Sequence, residues 1–169
     1  MSRLLMIFAA VLTLSACESS KPPQLGTDGK PLPRLYRISN NDSARIQYGM
    51  LDSINALRLA AGAGTLELNP MLNAAAEAHS RDMSAQNRPW HFGSDGSSPI
   101  DRVRRVGFAG QMLGENISET YETETETLAA WMTQDDTRNV ILDKRATQLG
   151  FTWYQEPSGK IWWTAVTGG

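Results

Sequence analysis

The chain contains one cysteine, Cys17, standing directly after an apolar run. A lone cysteine excludes any disulfide within one molecule, so the fold must be held by apolar packing and hydrogen bonds. The residues before it follow the order of an export signal. Arg3 gives a positive start, Leu4 to Leu14 is almost wholly apolar, and the small residues Ser15 and Ala16 precede the cysteine. A helix needs about 20 apolar residues to cross a bilayer, and this run is shorter. Its flanks mark residues 1–16 as a cleaved secretory signal peptide.

Residues 18–33 contain four Pro and two Gly and carry no helical or strand period. They read as a flexible tether, residues 17–33, ahead of one domain over residues 34–169. Leu14-Ser15-Ala16-Cys17 resembles the lipobox of bacterial lipoproteins. That resemblance implies cleavage before Cys17, lipidation of Cys17, and attachment to a membrane without spanning it. Each buried acyl CH₂ contributes about 0.8 kcal/mol, so several chains hold firmly where one is marginal.

Within the domain, apolar periodicity predicts four helices. Ser43 to Ala61 places Ile46, Met50, Ile54, Leu57 and Ala61 on one face. Asn69-Pro70 opens a second helix to about Asn87, with Leu72, Ala75, Ala76, His79 and Met83 on one face. Ser98-Pro99 opens a third, ending at Gly107, and Thr123 with Glu126 forms a capping box for a fourth through Leu128 and Trp131. Gln148 to Tyr154 and Ile161 to Val166 read as an antiparallel hairpin around Pro157-Ser158-Gly159, with a third strand near Asn116 to Ser118. Trp162 and Trp163 must then face opposite sides of the sheet. Helices first and a hairpin last give an α+β class.

Charge is uneven. Between Gly107 and Asp136 the chain has seven acids and no Lys or Arg, although its net charge is only −2. No basic stripe is present, which excludes nucleic acid as the expected partner.

Three clusters then occur in order. The first is Ala78-His79-Ser80-Arg81-Asp82-Met83 with Trp90-His91-Phe92-Gly93. The second is Arg102 to Phe108 with Gly114-Glu115-Asn116-Ile117. The third is Trp131-Met132, Asn139 to Leu142, Leu149-Gly150-Phe151 and Trp162-Trp163-Thr164. Together they resemble the CAP superfamily of cysteine-rich secretory, antigen 5 and pathogenesis-related proteins, over roughly residues 45 to 167. The resemblance implies a three-layer α-β-α sandwich with a small antiparallel sheet. It also implies a cleft with two His and one or two acids, which in some members binds zinc. His91 and Glu115 match that cleft. The second His falls on Thr137, and the acid three residues after the Trp falls on Gln134.

The cleft candidates are therefore His91, Glu115, Thr137 and Gln134. His79 lies on an apolar helix face and reads as a packed His with one ring nitrogen bonded. Zinc takes about four ligands, or three and a water. His91 and Glu115 supply two, and Asp136 or the adjacent Asp135 would add a carboxylate, making a weak divalent-metal set. The chain has no Gly-x-Ser-x-Gly elbow, no His-Glu-x-x-His motif and no cysteine besides Cys17. The expected function is thus a non-catalytic binding module, periplasmic or facing the cell surface, held to a membrane by its lipid. A glycan, lipid or protein would be its cleft ligand. A purely structural envelope protein and a hydrolase using His91 with Glu115 are the alternatives.

Overall fold

The computed structural model describes residues 36–169. The signal peptide, the tether and lipidated Cys17 lie outside the described residues.

A 3₁₀ turn, Asn40–Asp42, leads into α1, Ser43–Ala60. The buried stripe of α1 steps by four through Ile46, Met50 and Ile54 to Arg58. The sequence expectation carried this face on through Leu57 and Ala61, and both prove to be on the solvent side. Arg58 is buried because its guanidinium makes four hydrogen bonds to backbone carbonyls. Its Nε donates to Gly64 O at 2.7 Å, Nη1 to Ile141 O and Asp143 O, and Nη2 to Ala146 O at 2.8 Å. A buried charge is tolerated when hydrogen bonds replace its hydration, and here they tie the end of α1 to the approach of the last two strands.

Strand β1, Glu67–Leu68, runs into α2, Pro70–Gln86, whose Asn69 cap accepts from Met71 N and Leu72 N with Pro70 at the first position. Helix α3, Pro99–Arg105, starts at a capping box of Ser98 and Asp101. Strand β2, Met112–Ser118, precedes α4, Glu124–Thr133, which carries the expected capping box of Thr123 and Glu126. A fifth helix, α5, Asp135–Leu142, follows one extended residue, Gln134. The four helices expected from sequence do not include this stretch, whose eight residues are too few for periodicity to declare a helix. The hairpin is β3, Gln148–Gln155, and β4, Ile161–Gly168.

The sheet order is β1-β3-β4-β2, with β1 parallel to β3 and the other pairs antiparallel. Helices α1, α4 and α5 cover one face, packing Ile46, Ile54, Leu128, Trp131 and Ile141 on Phe151, Trp163 and Ala165. On the opposite face, Leu72, Ala75 and Ala76 of α2 and Val103 of α3 pack on Val166. This is the three-layer α-β-α sandwich. Trp162 and Trp163 do part: Trp163 stacks on Phe151 at 5.6 Å, while the indole N–H of Trp162 donates to Glu156 Oε1.

Two contacts set how the layers meet. Helix α2 presses its backbone onto β3 at Gly150, where any Cβ would overlap the Leu72 carbonyl. Beyond the two-residue β1, β3 is an edge, and side chains close part of it. Phe151 N–H donates to Asn73 Oδ1 at 2.8 Å, and Phe151 O accepts from Gln47 Nε2 at 2.9 Å.

Candidate functional site

Strand β2 carries the site, and its alternation divides the site's residues. Glu115 turns toward α2 and α3, and Asn116 turns toward α5. The Glu115 side chain is almost fully buried, 3% exposed, and is met by Arg102 from α3. Arg102 Nη2 lies 3.0 Å from Oε1 and 2.7 Å from Oε2, while Nη1 donates to His91 O at 2.9 Å. One guanidinium therefore neutralises the carboxylate and fixes the His91 backbone. Removing one partner of such a buried pair costs about 3–5 kcal/mol, because the other charge is stranded.

His91 stands in the loop after α2, with its side chain 51% exposed and Nδ1 2.9 Å from Glu115 Oε1. Donation from Nδ1–H to the carboxylate leaves Nε2 facing solvent, and in a neutral ring that nitrogen is a base. His79 is fully buried, and its Nε2 lies 2.9 Å from the carbonyl of Trp90. A carbonyl only accepts, so Nε2 carries the proton, and Nδ1 is left buried without a partner. The packed-histidine reading of His79 holds. The fold adds that this ring also lies 3.7 Å from Glu115 Oε1. Burial lowers its pKa below the ordinary imidazole value, with Glu115 opposing and Arg102 assisting.

The other matched positions have been put to structural use. Thr137 Oγ1 donates to Trp131 O at 2.6 Å, closing the C-terminal end of α4. Its carbonyl accepts from Asn116 Nδ2 at 2.9 Å. Gln134 is the exposed link between α4 and α5. Thr137 and Gln134 do share a cleft of ≈ 280 Å³ with Pro89, Ile117, Trp131 and Tyr121. Asp135 is exposed and pairs with Arg138, and Asp136 is exposed in the first turn of α5.

The donors present do not suit a divalent cation. Arg102 takes both oxygens of Glu115, the protonated Nε2 of His79 is committed to Trp90, and the hydroxyl of Thr137 is committed to a helix end. His91 is half exposed, whereas the unpartnered Nδ1 of His79 is buried. Among the described residues, no three His, Cys, Asp or Glu side chains gather as ligands. The set of His91, Glu115 and Asp136 is not brought together. Sequence reasoning gives Arg102 no role, although it sits in the second motif cluster. A charged residue on a short helix carries no sign of whether it points inward.

Comparison with known proteins agrees with this architecture. The model of the cysteine-rich secretory protein family, CAP, matches residues 51–167. The uncharacterized protein YkwD of Bacillus subtilis is 31% identical over 113 residues, covering 67% of this chain and 43% of that protein. The chain thus spans less than half the length of the curated relative it matches. Among solved structures, an outer surface protein from Borrelia burgdorferi superposes with a TM-score of 0.68 at 14% identity, over 78% of this chain and 95% of that one. An extracellular protein containing an SCP domain from Bacillus anthracis gives a TM-score of 0.67 at 22% identity, over 87% of this chain and 45% of that one.

Proposed function

This chain belongs to the CAP family of cysteine-rich secretory proteins, and on that premise we propose that it is an exported, lipid-anchored protein whose cleft binds a ligand without turning it over. One observation carries the reading. The carboxylate that orients His91 has both oxygens engaged by an internal cation, Arg102, which neutralises it. An open cleft is lined by Thr137 and Gln134 but not by His91 or Glu115, and the family's second imidazole position is a helix-end hydroxyl, Thr137. Recognition asks only for shape and hydrogen bonds, which this cleft retains, whereas general-base catalysis asks for a poised, orienting carboxylate. The export signal before Cys17 supports a place outside the cytoplasm, as do the surface and extracellular settings of the Borrelia and Bacillus anthracis proteins.

A hydrolase is the second reading, favoured by the single His91–Glu115 hydrogen bond of 2.9 Å. Complementation of a deletion strain separates the two. His91→Ala should retain function, and Gln134→Trp, which fills the cleft from an exposed position, should lose it. Loss of function in His91→Ala with an unchanged thermal midpoint would install the hydrolase instead. Retention in both variants would leave only a structural role.

A further inference from the structure

The cleft lies at the outer edge of the sheet, because β2 ends the strand order. Which backbone groups of β2 face outward follows from register. Phe151 points its N–H and C=O away from β4, toward Asn73 and Gln47. Its partner Ala165 therefore points toward β2, so Asn116, opposite Ala165, is the inward-bonded residue. Glu115 and Ile117 must then direct their backbone groups outward. The indole N–H of Trp131 confirms this by donating to Ile117 O at 3.2 Å. Among the described residues, nothing pairs with Glu115 C=O or Ile117 N–H.

That pair has a specific geometry. In a parallel ladder, one residue of the incoming strand donates to the carbonyl before its opposite number and accepts from the N–H after it. Glu115 C=O and Ile117 N–H are that carbonyl and that N–H, flanking Asn116. An antiparallel partner opposite Ile117 would have to share the Ile117 carbonyl with the Trp131 indole, whereas the parallel bridge leaves that carbonyl to Trp131. Beside this edge the Oδ1 of Asn116, a residue 1% exposed, is buried with no partner. The one charged residue lining the cleft is Glu119, which also pairs with Lys160. Of the seven acids in the stretch from Gly107 to Asp136, only Glu119 lines the cleft, and that stretch has no Lys or Arg.

We infer that the cleft takes an extended, positively charged peptide segment that adds to the edge of β2 in parallel register, one residue bridging Glu115 C=O and Ile117 N–H. This rests on the binding reading above and names its ligand class. Main-chain bonds supply attachment, as in other strand-addition complexes. Glu119, the one charged residue on the cleft wall, favours Lys or Arg on the flanking residues.

The test uses a displayed library of random heptapeptides, panned against the full chain in detergent at low and at 0.5 M salt. The strongest binder is then synthesised with each backbone nitrogen methylated in turn. Binders rich in Lys and Arg are expected. One methylation should weaken binding at least tenfold while its neighbours do not, and bound peptide should slow hydrogen exchange at Ile117 at least tenfold. Glu119→Lys, at a partly exposed position, should weaken the same peptide at least fivefold. Failure to recover any binder overturns the inference. So does a binder insensitive to every methylation that leaves Ile117 exchange unchanged, because it attaches elsewhere. The binding reading fails separately, when Gln134→Trp still complements the deletion strain.

Discussion

His79 shows how one residue's chemistry is decided by its surroundings. The ring is sealed between Trp90 O and the Glu115–Arg102 pair, and burial lowers its pKa below the usual value. An unfolded chain protonates its histidines near pH 6.5, while the folded chain resists until lower pH. In that interval the unfolded state binds more protons, so stability rises with pH. The contribution of His79 is thus complete above about pH 6.5 and is lost as pH falls below it. Glu115, Arg102 and Asp82 are the charged groups that act on the ring. His79→Gln keeps a donor for Trp90 O but cannot titrate. Thermal midpoints measured from about pH 7.5 down to about pH 5 should fall for the natural chain and stay flatter in the variant. Equal slopes would mean that other groups carry the acid sensitivity. Arg58 makes the same point from the opposite direction. It occupies the next step of an apolar stripe, and burial became tolerable only because four carbonyls converge on it.

Between elements, the decisive contact is α2 on β3. Gly150 is needed there for the space it leaves, since a Cβ would strike the Leu72 carbonyl at the start of α2. Backbone cannot swing aside as a flexible side chain can, so relief requires the whole helix to shift. Overpacking of this kind costs roughly 1–3 kcal/mol and occasionally more. Gly150→Ala should lower urea-unfolding stability by about 3 kcal/mol. Because α2 also carries His79, the movement should reach the loop that holds His91. A variant with unaltered stability would show that the helix has slack at this contact. The short elements behave differently. Two-residue β1 and eight-residue α5 were missed because each is too short to repeat its own period clearly. Both form because longer neighbours supply the partner: β3 for β1, and the apolar layer that receives Ile141 for α5.

For the whole molecule, the proposed attachment rests on Cys17. Cys17→Ser removes the acyl acceptor, so the protein should leave the membrane fraction and stop incorporating labelled palmitate, while its midpoint of unfolding stays the same. Unchanged partition into membranes would overturn the anchor. The layered fold was largely legible beforehand. Apolar steps of three and four, Asn69-Pro70, Ser98-Pro99, the capping box at Thr123 and the aromatic hairpin are local signals, each written in residues near one another in the chain. His91 and Glu115 were also found by sequence, and the fold does bring them to 2.9 Å. By itself the sequence determined which of the longer segments become helix or strand, which of their faces seek a core, and that no disulfide within the chain could help. Only the tertiary structure decided that Arg102 would neutralise Glu115, that Thr137 would close a helix rather than face a metal, and that the outer edge of β2 would stay open. Those outcomes depend on residues far apart in the chain sharing one low-dielectric space, where a charge must find a partner whatever its place in the sequence.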